Sequence, residues 1–254
     1  MVKPKKSLGQ HFLIDKNITE KIALSLINTD KVIEVGPGEG ALTDFFIDKK
    51  NTEFRAIETD RESYNFLIDK YPEQSKKIIL QNFLKTDLTN IFDEEFSIIG
   101  NFPYNISSQI FFKVIDNKDL VKEVVCMIQK EVAERIASKE GNKTYGILSV
   151  LLQTYYNIEY LFTVNENVFN PPPKVKSGVI RLIRNKTQKL NCNEKLFKQI
   201  VKTSFNQRRK MLRVSLKTML NNINTSDYNI FTKRPEQLTI NEFVYLTNII
   251  EQAN

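Results

Sequence analysis

The chain has 254 residues, 41% of them hydrophobic and 26% charged, enough apolar content for one substantial core with a smaller appended unit. Its longest apolar runs, such as residues 124–128, fall far short of the roughly 20 residues of a membrane span. The basic start Met1-Val2-Lys3-Pro4-Lys5-Lys6 is not followed by the apolar stretch of a secretory signal, so a cytoplasmic location is expected.

Short runs rich in Val, Ile and Phe alternate with helix-period segments through the first three quarters, the pattern of a parallel sheet covered by helices. In chain order the spacing predicts helix 18–27, strand 31–36, helix 41–47, strand 53–58, helix 61–70, strand 77–81 and strand 96–100. Helix 107–115, strand 123–128, helices 130–138 and 147–156, and strands 158–164 and 178–183 follow. The last two strands flank a loop with three consecutive prolines and are expected to pair antiparallel at the sheet's edge region. Beyond about residue 184 only amphipathic helices are predicted, at 194–205, 208–220 and 239–249. The expected organisation is therefore an α/β domain over 1–185 and a small all-α domain over 186–254.

The net charge of +7 is unevenly placed. Between Lys174 and Lys217 fourteen Lys and Arg face one acid, Glu194, so the rest of the chain is net acidic. Such a division points to a surface for a polyanion rather than to general solubility charge. Cys126 and Cys192 have no partners at metal-ligand spacing, so neither a disulfide framework nor a metal site is expected.

Where the first strand meets the first turn, Glu34-Val35-Gly36-Pro37-Gly38-Glu39-Gly40 places glycines at alternating positions. They permit a tight turn and close approach of backbone to a ligand. About twenty residues on, Glu58 ends the second strand, where a carboxylate can accept from both hydroxyls of a ribose. The spacing is not that of a dinucleotide site, and no Gly-Lys-Ser/Thr follows to hold a triphosphate. Glu34 is negative as an ordinary carboxylate and suits a cationic sulfonium better than a phosphate. S-adenosyl-L-methionine is the cofactor that fits. Asn82, closing the third strand, can reach the adenine edge, or it can simply terminate the strand in a turn.

After the fourth strand comes Gly100-Asn101-Phe102-Pro103-Tyr104, at the sheet end where ligands collect. An adenine amine is a poor nucleophile, because its lone pair is delocalised into the ring. The Asn101 amide oxygen and the Phe102 carbonyl can accept its two hydrogens, Pro103 stiffens the turn without adding a competing N–H, and Tyr104 offers a face for an extruded base. No general base is evident, and none is required if positioning and an in-line methyl donor carry the reaction.

These segments, in this order, resemble the ribosomal RNA adenine N6,N6-dimethyltransferase family, in its bacterial 16S form. The resemblance runs through Lys5-Lys6-Ser7-Leu8-Gly9-Gln10-His11-Phe12-Leu13, the glycine turn, Glu58, residues 101–107 and 127–135, Tyr145-Gly146, Phe169-Asn170-Pro171-Pro172-Pro173-Lys174-Val175 and residues 205–212. It implies a seven-stranded Rossmann-like methyltransferase sheet with a helical C-terminal domain. It also implies cofactor contacts from His11, Leu13, Gly36, Glu58, Asn82 and Asn101, to which the turn adds Gly38, with Gln10 and Phe12 closing the pocket. The implied reaction is dimethylation of two adjacent adenosines near the 3′ end of 16S RNA during small-subunit biogenesis, on an immature subunit; a monomer is expected. Two positions depart from the family pattern. Asn82 stands where Asp is usual, and His11 where Asn is common. The Asn82 amide oxygen is expected to accept from the cofactor amine in the aspartate's place.

Arg208, Arg209, Lys210 and Arg213 are expected along one helix that tracks phosphates, with Lys198 and Lys202 one turn apart on its predecessor. Lys174 and Lys176 flank the proline loop near the base site, where Phe169 is either the pocket's opposite wall or a core aromatic. Three other readings share parts of this pattern. A 23S RNA adenine methyltransferase of the macrolide-resistance type shares the fold and chemistry. A non-catalytic RNA-binding assembly factor would keep the fold alone, and a DNA adenine methyltransferase would carry a different form of the base motif.

Overall fold

The computed structural model describes residues 2–220 and 222–253. The chain divides into two compact units, Met1–Glu134 with Asn157–Arg184, and Arg135–Tyr156 with Asn185–Asn254.

In chain order the elements are β1 (Phe12–Leu13), α1 (Lys16–Leu24), β2 (Lys31–Val35), β3 (Glu53–Glu58), α2 (Arg61–Lys70), β4 (Ile78–Leu80), β5 (Phe96–Asn101) and α3 (Ser107–Asp116). There follow β6 (Val121–Gln129), α4 (Lys130–Ala137), α5 (Ile147–Tyr155), β7 (Tyr156–Val164), β8 (Phe169–Asn170), β9 (Ser177–Arg184), α6 (Glu194–Asn206), α7 (Leu212–Ser215) and α8 (Ile240–Ala253).

The seven predicted strands form one sheet of order β4-β3-β2-β5-β6-β9-β7. Strands β4 through β6 pair in parallel. Helices cover such a sheet, so its central strands are near-continuous apolar runs: Val32, Ile33, Ile98, Ile99, Val124 and Val125 are all fully buried. β9 runs antiparallel to β6, from Gln129↔Ser177 to Glu123↔Ile183, and β7 lies beyond it at the edge. Strand order reverses between β2 and β5, which opens a crevice at their carboxyl ends. A further two-stranded ribbon, β1 with β8, pairs Phe12↔Asn170 and Leu13↔Phe169. It ties the N-terminal segment to the proline loop.

The predicted helices around the sheet are present with one exception. Asp15 and Asp60 cap α1 and α2 by accepting the Ile18 and Ser63 N–H groups, as short polar side chains do at helix starts. The helix expected at 41–47 is only a 3-10 turn, Thr43–Phe45. Two tertiary bonds hold that turn, from the Thr43 hydroxyl to Glu34 at 2.6 Å and from the Tyr71 hydroxyl to Asp44 at 2.5 Å.

The second unit packs its helices through Phe197, Phe205 and Phe243, whose ring centroids lie 6.2–6.5 Å apart along the series. Residues 135–156 sit with it. Tyr145 meets Phe205 edge-on at 6.1 Å, and the Gly141 N–H donates to the Glu236 carbonyl at 2.7 Å. The single helix expected over 208–220 is broken. α6 ends at Asn206, a turn follows, Met211 is extended, and α7 spans only four residues before another 3-10 turn. Three successive cations repel within one turn, and Arg208 is drawn away to Glu236 and to the Asn142 carbonyl, 3.9 and 3.3 Å distant.

Candidate active site

One cavity of about 230 Å³ opens in the first unit where strand order reverses. Its lining includes His11, Leu13, Gly36, Gly38, Glu58, Asn82 and Asn101, together with Phe102, Pro103 and Tyr104. Ten residues from five separate stretches of sequence therefore meet at one place. Gln10 and Phe12 line it as well.

The glycine turn packs closely against rings, Phe12 at Gly38 and Tyr71 at Gly40. Gly38 has φ +58°, and a Cβ there would come within 2.9 Å of the Phe12 ring. Glu58 is organised by main-chain donors: the Thr59 and Asp60 N–H groups reach Oε1 at 2.8 Å each, and the Gly38 N–H reaches Oε2 at 3.1 Å. These bonds join the two halves of the expected nucleoside site, fill both lone pairs of Oε1 and leave Oε2 one lone pair for a hydroxyl donor. Burial raises the Glu58 pKa, and the three N–H groups oppose that shift.

Glu34 departs from the charge argument made for it. It is 2% exposed, and burial pushes its pKa up to about 8, against the Thr43 hydrogen bond that favours the ionised form. At pH 7 the carboxyl is mostly neutral, and it becomes a carboxylate when a cation sits beside it.

The base-site segment is clamped from both flanks. The Asn101 Nδ2 donates to the His11 carbonyl at 2.9 Å, which leaves the amide oxygen for a ligand. The Phe102 N–H donates to the Met127 carbonyl at 3.0 Å, and its ring is buried edge-on against Phe111. The Tyr104 ring stacks on the His11 imidazole, with centroids 5.6 Å apart and planes at 27°. The Tyr104 Oη lies 2.6 Å from the Oγ of Ser177, a fully buried residue. His11 Nδ1 in turn donates to the Pro171 carbonyl at 2.7 Å. Neither Ser177 nor the Pro171 carbonyl carries any local sequence signal for this role. Only the antiparallel placement of β9 and the β1–β8 ribbon brings them in.

Phe169 is a core residue, 3% exposed and clustered with Leu13 and Val164, and it does not line the cavity. Its pairing with Leu13 in the ribbon sends alternate side chains to opposite faces, so Asn170 is exposed while Phe169 is buried. The Asn82 amide oxygen accepts from the Leu84 N–H at 2.9 Å and caps its own turn, which takes one of its two lone pairs.

Lys174 and Lys176 are exposed in the first unit. The Lys130 N–H donates to the Lys176 carbonyl at 2.9 Å, next to the Ser177 that holds Tyr104. In the second unit Arg209, Lys210 and Arg213 are exposed, whereas Arg208 is half-buried against Glu236. Among the described residues no cluster could hold a metal ion, and no helix is long and apolar enough to cross a membrane.

Residues 1–251 match the model of a family described as ribosomal RNA adenine dimethylase. A Bacteroides fragilis protein named ribosomal RNA small subunit methyltransferase A is 56% identical over 257 residues, spanning 100% of this chain and 94% of that one. A dimethyladenosine transferase from Plasmodium falciparum superposes with a TM-score of 0.80 at 24% identity, covering 96% of this chain and 98% of its own. The 23S rRNA methyltransferase ErmE gives a TM-score of 0.67 at 22% identity, covering 93% and 99%. At these low identities the two structures speak to the fold alone.

Proposed function

The chain belongs to the ribosomal RNA adenine dimethylase family, and on that premise we propose that it transfers methyl groups from S-adenosyl-L-methionine to the N6 atoms of two adjacent adenosines near the 3′ end of 16S rRNA. The observation that carries this reading is the Asn101 amide. Its Nδ2 is committed to the His11 carbonyl, so its oxygen is the end available to an adenine amine, in the cavity that Glu58 and the glycine turn also line.

The residues present fit the cofactor. Gly38, where a Cβ would meet the Phe12 ring, lines the cavity together with that ring. Glu58, fixed by three main-chain donors, would accept from a ribose hydroxyl through Oε2, and Glu34 supplies a carboxyl that ionises beside a cation. When bound, S-adenosyl-L-methionine supplies an electrophilic methyl on sulfur. Asn101 and the Phe102 carbonyl orient the amine and draw its hydrogens out of the ring plane. Pro103 holds that geometry rigid, and Tyr104, held by Ser177 and His11, presents its ring to the base. Burial raises the Tyr104 phenol pKa, against the Ser177 hydrogen bond. The proton leaves after transfer and needs no dedicated base.

The substrate is an immature small subunit, met in the cytoplasm by a monomer, with residues 1–185, apart from the segment 135–156 that packs with the second unit, as catalytic domain and 186–254 as RNA-binding domain. The exposed cations Lys174, Lys176, Arg209, Lys210 and Arg213 support phosphate contact, with Arg208 contributing less because Glu236 neutralises it. Identity to the small-subunit relative along the full chain supports 16S over 23S RNA. The test incubates the protein with labelled methyl donor and, separately, immature 30S subunits, 50S subunits and DNA. Label is expected in 30S material alone. RNA binding without transfer would favour a non-catalytic assembly factor.

A further inference from the structure

Asn82 lines the cavity at the turn after β4. Its Oδ1 accepts the Leu84 N–H at 2.9 Å, and its main-chain carbonyl accepts the Lys85 and Thr86 N–H groups at 2.9 and 3.0 Å. Only the oxygen of an amide can meet an N–H donor, so the cap fixes which way the side chain is turned. The turn is braced from outside. Lys113 Nζ donates to the Leu84 and Thr86 carbonyls at 3.3 and 2.5 Å, and the Gln81 N–H donates to the Glu58 carbonyl at 2.9 Å. One lone pair of the oxygen stays with the backbone, and the NH₂, which makes no hydrogen bond among the described residues, is the end turned from the cap.

The edge of a 6-aminopurine offers an amine donor beside a ring acceptor, whereas a 6-oxopurine offers an acceptor in the amine's place. A carboxylate at position 82 would keep one oxygen on the cap and give the other to the amine. The amide has no second oxygen to give. We propose that Asn82 presents an amide donor to the base edge of the bound nucleoside, and so weakens the site's preference for a 6-amino over a 6-oxo purine. This rests on the reading of the cavity as the S-adenosyl site.

The test is calorimetric titration of S-adenosylhomocysteine and S-inosylhomocysteine into the wild-type chain, Asn82→Asp and Asn82→Ser. Asp and Ser cap as well as Asn, and ligand-free thermal unfolding checks that each variant keeps the fold. In Asn82→Asp the ratio of the two affinities is expected to move about tenfold toward the adenosyl ligand. Asn82→Ser, which caps and offers no amide, should lose inosyl affinity without gaining adenosyl affinity. A ratio in Asn82→Asp that stays within about threefold of wild type, or moves toward the inosyl ligand, overturns the proposal. If the wild-type chain binds neither ligand, the cofactor reading fails first and takes the proposal with it.

Discussion

Glu34 shows how burial changes a residue that sequence marks only as an acid. Its free carboxyl, with Thr43 bonded to it and Glu58, Asp44 and Lys70 near enough to bias it, titrates at about 8. A sulfonium beside it favours the carboxylate, so donor binding below that pH releases a proton. Affinity for S-adenosyl-L-methionine should therefore rise as pH increases toward 8 and level off above it. The uncharged thioether S-adenosylhomocysteine should lack that component. Titrations of both ligands between pH 6 and pH 9 read the difference, and Glu34→Gln should remove it. An identical pH dependence for the two ligands would leave Glu34 without this part. Residues whose chemistry is carried by type and spacing, such as Glu58 and Asn101, are legible in sequence. Ser177 and the Pro171 carbonyl are not, because a serine and a main-chain oxygen acquire their roles only when distant strands bring them to Tyr104 and His11.

At the scale of elements, the glycine turn and the N-terminal ribbon form one device. Gly38 holds a left-handed conformation with the Phe12 ring against it, so Gly38→Ala meets both backbone strain and a ring it cannot pass. That substitution should cost about 1–3 kcal/mol in denaturant unfolding and weaken S-adenosylhomocysteine binding more than tenfold by calorimetry. Loss of stability with unaltered binding would separate the turn from the ligand site. The sheet strands and helix α2 follow from periodicity, because buried parallel strands and capped amphipathic helices write strong local patterns. Residues 41–47 and 208–220 also carry helical periodicity and do not form the expected helices. In the first, side-chain bonds to Glu34 and Tyr71 hold a single turn. In the second, adjacent cations and the pull of Glu236 on Arg208 keep residues 208–210 out of a helix, which forms only over Leu212–Ser215. Phe169 illustrates the same limit, since its burial depends on pairing with Leu13, more than 150 positions away.

For the whole molecule, charge is the property that couples fold to substrate. The fourteen cations between Lys174 and Lys217 give the chain its basic excess, and Arg209, Lys210 and Arg213 are exposed in the second unit. Replacing these three with Gln should weaken binding to 16S RNA and lower the dependence of log affinity on log salt by about two to three. Calorimetry with S-adenosylhomocysteine should be unchanged. An unaltered salt slope would place the RNA surface elsewhere. The measurement that bears most directly on function is the identity and position of the product nucleosides, read by mass spectrometry of 16S RNA recovered after reaction of the protein with S-adenosyl-L-methionine and immature 30S subunits. N6,N6-dimethyladenosine at two adjacent positions near the 3′ end is the expected result; N6-monomethyladenosine as the end product, or methylation of any other base, would contradict it.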